Sequence, residues 1–177
     1  MGRDPRPAAR LPPPALQLRR DPAAPRRAPP AQVTGFRALG ELPPREGWRG
    51  ALVMAQDGAG RVLMQLRDDR PDIAAPGQWG LFGGAVEARE TLAEAAVREF
   101  HEETGVRLAE AELAPLVRVP SQARADGVLY VFHTDRAIAP GEVRLGEGAG
   151  FAVLTPAQLL SFEVIAPLRP LFAEMFD

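Results

Sequence analysis

Residues 91–105 carry the feature that most narrows what this chain can fold into: a helix whose two ends can both be identified. Thr91 and Glu94 have the spacing of a capping box, in which each side chain accepts a hydrogen bond from the other residue's backbone N–H. Gly105 stands where a left-handed residue commonly ends a helix. One stripe between them is apolar and comprises Leu92, Ala93, Ala96, Val97 and Phe100. We therefore predict a helix over 91–104 that buries one face.

Three glutamates lie on this helix beside the apolar stripe. Glu99, Glu102 and Glu103 are separated by the three- and four-residue steps that place side chains about 5–6 Å apart at Cβ. Like charges at this spacing repel, and on that surface only Arg98, at its margin, could neutralise them. A hard divalent cation such as Mg²⁺ or Mn²⁺, which prefers oxygen ligands, would relieve the repulsion. The alternative is a solvated acidic face, which the three glutamates taken alone would favour.

The remaining pattern mixes strands and helices with short connections. Apolar runs at 51–55 and 62–66 flank Asp57-Gly58-Ala59-Gly60, which predicts a hairpin. Further strands are predicted at 78–82, 113–119, 128–132 and 151–154, and further helices at 157–160 and from Pro167 onward. The run at 128–132 is apolar on both faces and should be a central strand. We expect one α/β layered domain over residues 45–177.

The first part of the chain has a different composition. Residues 1–31 hold nine of the 19 prolines, and their seven arginines and two aspartates give them a net charge of +5. Such sequence cannot bury enough apolar surface to offset its ordering entropy, so we predict a disordered tail over residues 1–44, rich in proline, arginine and alanine. A passive tail is the first interpretation. An arm that contacts nucleic-acid phosphates is the alternative.

Composition also excludes several classes of protein. The chain has no cysteine, which rules out disulfides, thiolate metal sites and cysteine nucleophiles. No apolar run approaches the roughly 18–20 residues of a transmembrane helix, and no apolar core follows the arginine pair of the tail as an export signal requires. We expect a cytoplasmic protein without a membrane partner.

The spacing of residues 84–106 resembles the Nudix box of the MutT-like hydrolases. That box reads G-x5-E-x7-R-E-U-x-E-E-x-G-U, where U is a bulky aliphatic residue, and the chain supplies Gly84, Glu90 and the run R-E-F-H-E-E-T-G-V at 98–106. Phe100 is a mild departure, because it is aromatic. The seven fixed identities make chance agreement very improbable, and W-G-L-F-G-G at 79–84 resembles the strand and turn that precede the box.

The resemblance implies a fold and an activity. The fold would be an α/β Nudix fold, a mixed β-sheet sandwiched between helices (α/β/α). The activity would be Mg²⁺- or Mn²⁺-dependent hydrolysis of the pyrophosphate linkage in a nucleoside diphosphate derivative, either a nucleoside triphosphate or a nucleotide sugar such as ADP-ribose. The partner would then be a small-molecule nucleotide rather than a nucleic acid. The sequence is compatible with a homodimer but does not decide the oligomeric state.

The resemblance also assigns residues to the metal site. It implies that Glu99, Glu102 and Glu103 are metal ligands, with Glu99 or Glu102 also near the attacking water. The carbonyl oxygen of Gly83 would be a further ligand. Each of these expectations comes from the matched position in the box.

Other roles follow from the box and its surroundings. Glu90 and Arg98 would serve catalysis through an ion pair that holds the preceding loop against the helix and orients the glutamates. Glu147 is a candidate acid from a later loop, with Glu142 as its competitor, and either could equally be an exposed loop acid.

The sequence gives weaker evidence on which residues recognise the substrate. Trp79 could stack on a base, although a tryptophan at a buried turn is more often part of a core. Arg67 could contact phosphate, although surface ion pairs are its commoner role. Two further alternatives remain, a non-catalytic Nudix module that binds a nucleotide and an enzyme that acts on RNA 5′ ends.

Overall fold

The structure, a computed structural model, describes residues 35–176. Eight strands and three helices follow one another along these residues. The strands are β1 Arg37–Ala38, β2 Trp48–Ala55, β3 Val62–Leu66, β4 Trp79–Gly80, β5 Phe82–Ala85, β6 Ala114–Pro120, β7 Gly127–Thr134 and β8 Gly150–Leu154. The helices are α1 Leu92–Thr104, α2 Pro156–Ser161 and α3 Arg169–Phe176. None of these helices is long and apolar enough to cross a membrane.

The strands form two sheets. The larger sheet has the order β1-β6-β7-β2-β5, in which β7 runs parallel to β2 and antiparallel to β6. The smaller sheet has the order β4-β3-β8 and is antiparallel throughout. The prediction that the run at 128–132 lies in a central strand is therefore confirmed.

Buried side chains form two clusters, one on each face of the larger sheet. One cluster joins α1 to the larger sheet and includes Phe100, Phe82 and Tyr130. The other joins the opposite face to the smaller sheet and to α2 and α3, and includes Met54, Met64 and Phe172. Helices therefore cover the sheets on both sides, and the predicted α/β Nudix fold is confirmed.

The ends of α1 have the predicted chemistry. Thr91 Oγ1 accepts a hydrogen bond from the Glu94 N–H at 3.1 Å, and Glu94 Oε2 accepts one from the Thr91 N–H at 2.7 Å. Gly105 ends the helix with a left-handed φ of 72°. Both termini are thus set by local contacts, which hold the glutamates of α1 in a defined register.

The predicted hairpin between 51–55 and 62–66 is present only as its turn, in which the Asp57 N–H donates to the carbonyl of Arg61 at 2.9 Å. The two strands exist, but β2 and β3 belong to different sheets and share only the isolated bridge between Gln56 and Val62. Both edges of β2 are occupied by β5 and β7, so β3 has no edge of β2 left to pair with. The predicted strand at 78–82 likewise divides at Leu81, because β4 pairs with β3 whereas β5 pairs with β2.

The boundary of the predicted N-terminal tail also needs correction. Arg37 and Ala38 form β1 and pair in parallel with β6. Phe36 contacts the rings of Tyr130 and Phe132 edge-on, with centroids 5.2 and 4.9 Å away. This short apolar anchor orders residues that the prediction placed in the tail. Residues 1–34, where the rest of that prediction falls, lie outside the described residues.

Candidate active site

Glu103 is the buried member of the glutamate group on α1. Its side chain lies at the edge of the buried face, and the residue is only 7% exposed. Its Oε2 accepts a hydrogen bond from the backbone N–H of Gly83 at 2.7 Å, and its Oε1 accepts a longer one from Gln65 Nε2 at 3.4 Å. The carboxylate is therefore held by β5 on one side and by β3 on the other.

Burial gives Glu103 an unusual ionisation. Loss of water around the carboxylate, helped by the nearby charges of Glu147 and Glu99, raises its pKa to about 7, although the hydrogen bonds from Gly83 and Gln65 lower it. Burial outweighs the hydrogen bonds, since they satisfy the oxygens without supplying a positive charge. In the described part of the chain, the hydrogen-bond donors to the Glu103 carboxylate are Gln65 and Gly83, neither of which carries a positive charge. This electrostatic setting favours a metal ion.

Two glycines of β5 stand where a side chain would collide with a neighbouring element. Gly83 has a φ of 137°, and a side chain there would collide with the backbone of Ala51. A Cβ placed on Gly84 would lie 2.5 Å from Cδ of Glu99. The absence of a side chain at Gly84 thus leaves the space that the Glu99 carboxylate occupies, whereas Gly83 allows β5 to lie close to β2.

Arg98 links the loop after β5 to the glutamates. Its Nε and Nη2 donate to the two oxygens of Glu90 at 2.7 and 2.9 Å, and Nη2 also donates to the carbonyl of Ala85 at 3.1 Å. Its Nη1 contacts Glu99 Oε1 at 2.8 Å and Glu102 Oε2 at 3.3 Å. The hydrogen bonds from Arg98 hold the pKa of Glu90 below its usual value, and that of Arg98 is raised. The predicted Glu90–Arg98 ion pair is present.

Glu147 reaches the same region from the loop before β8. The backbone N–H of Arg144 donates to the carbonyl of Thr104 at 2.7 Å, and that of Gly146 donates to the carbonyl of Glu103 at 2.8 Å. This loop therefore packs on the C-terminal end of α1 and carries Glu147 into the cavity that Glu99 and Glu103 line. Its competitor Glu142 instead accepts a hydrogen bond from its own loop, from the Ala139 N–H at 2.8 Å.

One cavity of about 310 Å³ joins these groups to an apolar surface. Four charged side chains contribute to its lining, those of Arg67, Glu99, Glu103 and Glu147. The remaining lining is uncharged and includes Trp48, Leu52, Leu81, Leu129, Ile165, Ser121 and Gln122. The arrangement places carboxylates and an apolar recess within reach of a single small ligand, as is typical of ligand-binding sites.

The two residues predicted to contact substrate have different positions. Arg67 lines the cavity, and its Nε donates to the carbonyl of Ala74 at 2.7 Å. Trp79 lies outside the cavity lining and packs on the second core cluster, with its ring 6.2 Å from that of Phe162. The sequence analysis did not consider Trp48. The alternation Trp48, Gly50, Leu52 along β2 was the available signal, since it places the three residues on one face of the strand.

The fit of a metal ion to these residues is mixed. The carboxylate oxygens of the glutamates and the carbonyl of Gly83 are the donors that Mg²⁺ and Mn²⁺ prefer. Within residues 35–176, however, no group of three or more His, Cys, Asp or Glu side chains is arranged so that it could hold a metal. Glu99 and Glu102 are both bonded to Arg98 instead. Each contact uses one oxygen of the carboxylate, Oε1 of Glu99 and Oε2 of Glu102. The three-glutamate metal site therefore stays a prediction.

Comparisons with known proteins agree with this geometry. Residues 48–175 match the NUDIX domain family. Nucleoside triphosphatase NudI of Escherichia coli is 32% identical over 126 residues, which cover 66% of this chain and 87% of that protein.

Solved structures share the fold. The MutT protein from Methanosarcina mazei Go1 aligns with a TM-score of 0.59 at 21% identity, over 74% of this chain and 94% of that one. A MutT NUDIX hydrolase from Burkholderia pseudomallei aligns with a TM-score of 0.58 at 22% identity, over 73% and 98%. These low identities show the fold alone, whereas the domain match and the NudI relative show the family. The chain belongs to the Nudix hydrolase family and is a pyrophosphohydrolase.

Proposed function

We propose that this chain hydrolyses the pyrophosphate linkage of a nucleoside triphosphate with the help of Mg²⁺ or Mn²⁺. Water would add to one phosphorus and release a nucleoside monophosphate and pyrophosphate. The single observation that carries the proposal is the buried carboxylate of Glu103, which shares one cavity with Glu99, Glu147 and an apolar recess. A relative named as a nucleoside triphosphatase favours this substrate over a nucleotide sugar.

The oxygen donors of the site define where a metal would be held. Glu99, Glu102, Glu103 and the carbonyl of Gly83 would be its protein ligands, and the bound ion would neutralise phosphate charge and lower the pKa of water. The hydrogen bond from the Gly83 N–H holds the Glu103 carboxylate beside the Gly83 carbonyl group, which supports this role for Glu103. Glu147 also lines the cavity and would act on the water or on the metal, since its backbone carbonyl rather than its carboxylate accepts the hydrogen bond from Gln65 Nε2.

Arg98 and Glu90 are positioning residues in this proposal. The two-point contact between them fixes the guanidinium beside Glu99 and Glu102, since a planar fork matches a carboxylate in one orientation. The guanidinium would thereby orient both carboxylates, of which that of Glu99 lines the cavity. A cytoplasmic location, a homodimer and the absence of a nucleic-acid partner stay predictions.

The test is a substrate panel with the purified full chain and Mg²⁺. It contains ribo- and deoxyribonucleoside triphosphates, ADP-ribose, a dinucleoside polyphosphate and 5′-triphosphorylated RNA, with products separated by chromatography. We expect a nucleoside triphosphate to give the monophosphate and pyrophosphate. Turnover of ADP-ribose alone would show that the substrate is a nucleotide sugar, and turnover of RNA alone would show that the enzyme acts on RNA 5′ ends. No turnover of any compound would favour a non-catalytic binding module.

A further inference from the structure

We propose that Trp48 is the residue on which the base of the nucleotide substrate stacks, with Ser121 and Gln122 at the edge of the base. The inference rests on the proposed function and assigns the part of the cavity lined by Trp48 and Leu129 to a nucleobase. Trp79, which the sequence analysis named as a possible stacking residue, has no part in it.

Two glycines shape the surface under the Trp48 ring. Trp48 is the first residue of β2 and pairs with Gly127 of β7. A Cβ built on Gly127 would lie 3.0 Å from Cε3 of Trp48, and a Cβ built on Gly50 would lie 2.8 Å from its Cη2. The indole therefore lies across the sheet over two positions without side chains. Any larger residue at either position would push the ring toward the cavity or away from the sheet.

Trp48 differs from a tryptophan that serves the core. Among the described residues, Trp48 is a member of neither hydrophobic cluster, and it is only partly buried although the strand that follows it is fully buried. Trp79, by contrast, packs on the second cluster and on Phe162. An aromatic ring that is held in place on one side and open to a cavity on the other is suited to stacking on a ligand.

The lining around Trp48 matches the chemistry of a base. Leu52 and Leu129 add apolar surface to this cavity. Leu129 is the neighbour of Trp48, since its Cδ2 and Cη2 of Trp48 each lie 2.8 Å from a Cβ built on Gly50. A planar ring gains from stacking and from loss of water there, whereas the many hydroxyls of a second sugar would lose their hydrogen bonds.

The polar groups at the rim come from the turn between β6 and β7. Ser121 Oγ accepts a hydrogen bond from the Ala123 N–H at 3.2 Å, which leaves its own proton available for a ligand. Gln122 is exposed, lines the same cavity, and its amide bonds no other described residue. A hydroxyl and an amide supply donors and acceptors without a formal charge, as recognition of the edge of a neutral base requires.

The continuity of the cavity connects the base to the reaction. Its lining runs from Trp48 through Gly84 to Glu99 and Glu103. A nucleotide whose base lies on Trp48 therefore directs its phosphates toward the carboxylate group. The two ends of the cavity thus match the two ends of one nucleotide.

The kinetic test compares Trp48→Leu with Trp79→Phe on the nucleoside triphosphate that the full chain turns over. We expect Trp48→Leu to raise KM by roughly tenfold or more, the order of a lost base–aromatic stack, and Trp48→Phe to restore most of it. Gln122→Ala should raise KM without lowering the melting temperature. An unchanged KM in Trp48→Leu, or an increase confined to Trp79→Phe, would overturn the assignment of Trp48 while leaving the proposed function intact.

A binding measurement covers the case in which Trp48→Leu fails to fold. In the Trp79→Phe protein, the fluorescence of Trp48 is followed during titration with a non-hydrolysable α,β-methylene nucleoside triphosphate and with inorganic tripolyphosphate. We expect the nucleotide to quench the fluorescence of Trp48. Tripolyphosphate, which has no base, should leave this fluorescence unchanged. Binding of the nucleotide by calorimetry without quenching would overturn the stack. Absence of binding together with absence of turnover would overturn the proposed function itself.

Discussion

The carboxylate of Glu103 accepts a hydrogen bond from the backbone N–H of Gly83 at 2.7 Å. This contact joins the last turn of α1 to β5 across a space that glycine keeps open. It also holds an acidic group in a buried position where its pKa is raised to about 7. Glu103 therefore makes a hydrogen bond that stabilises the fold and carries a buried charge that destabilises it.

Without metal, the charge on Glu103 should cost stability at high pH. The pKa of Glu103 in the folded protein, about 7, exceeds the ordinary value of 4.5. The stability that goes with the protonated carboxyl is therefore fully present below pH 4.5 and is lost as the pH rises through 7. We therefore compare the free energy of unfolding of Glu103→Gln with that of the wild type in EDTA. The difference should shift in favour of the variant by up to a few kcal/mol when the pH is raised from 5 to 8. Denaturant titration at both pH values measures this, with the exposed Glu110→Gln as control. A pH-independent difference would contradict the raised pKa.

For turnover, the two-point contact of Arg98 with Glu90 should be more important than the positive charge of Arg98. Arg98→Lys keeps the charge but cannot hold both oxygens of Glu90 and the carbonyl of Ala85 at once. We expect kcat to fall about 10–100-fold, the usual effect of losing a residue that orients metal ligands. Steady-state kinetics against the exposed Arg107→Lys gives the comparison. Equal rates in the two variants would show that Arg98 acts through charge alone or not at all.

The Glu99 carboxylate should need the space that a side chain at position 84 would fill. In Gly84→Ala the new Cβ would lie 2.5 Å from Cδ of Glu99, so the carboxylate must move. We expect kcat/KM to fall about 10–100-fold because a displaced ligand weakens the metal site, with little change in melting temperature because the carboxylate can turn outward. Gly58→Ala is the matched control, since its Cβ would meet nothing within 4 Å. Loss of activity in both variants would point to a general effect of the substitution.

The parts of the fold that the sequence predicts well are those set by local contacts. The capping box of Thr91 and Glu94 and the left-handed Gly105 define α1 without reference to the rest of the chain. The edge position of Glu103 follows from the same helix. The pairing of β3 could not be predicted in this way, because it depends on the occupation of both edges of β2 by distant strands.

The less predictable part of the site is built from backbone contacts. The loop that carries Glu147 is held by N–H donors of Arg144 and Gly146 on the end of α1. Such bonds leave little trace in residue type, and for this reason Glu142 and Glu147 could not be separated by sequence. The choice between Trp48 and Trp79 likewise depends on which one faces a cavity, and the assembly of two sheets decides that.

The most direct test of the metal-dependent hydrolase is turnover of a nucleoside triphosphate as a function of free Mg²⁺. We expect the wild type and the exposed control Glu110→Gln to be inactive in EDTA and activated to saturation by Mg²⁺. Glu103→Gln should stay at least roughly a thousandfold slower at every Mg²⁺ concentration, since a metal contributes several kcal/mol to the reaction. Full wild-type activity in EDTA, or wild-type turnover by Glu103→Gln, would contradict the assignment of this glutamate group as the metal site.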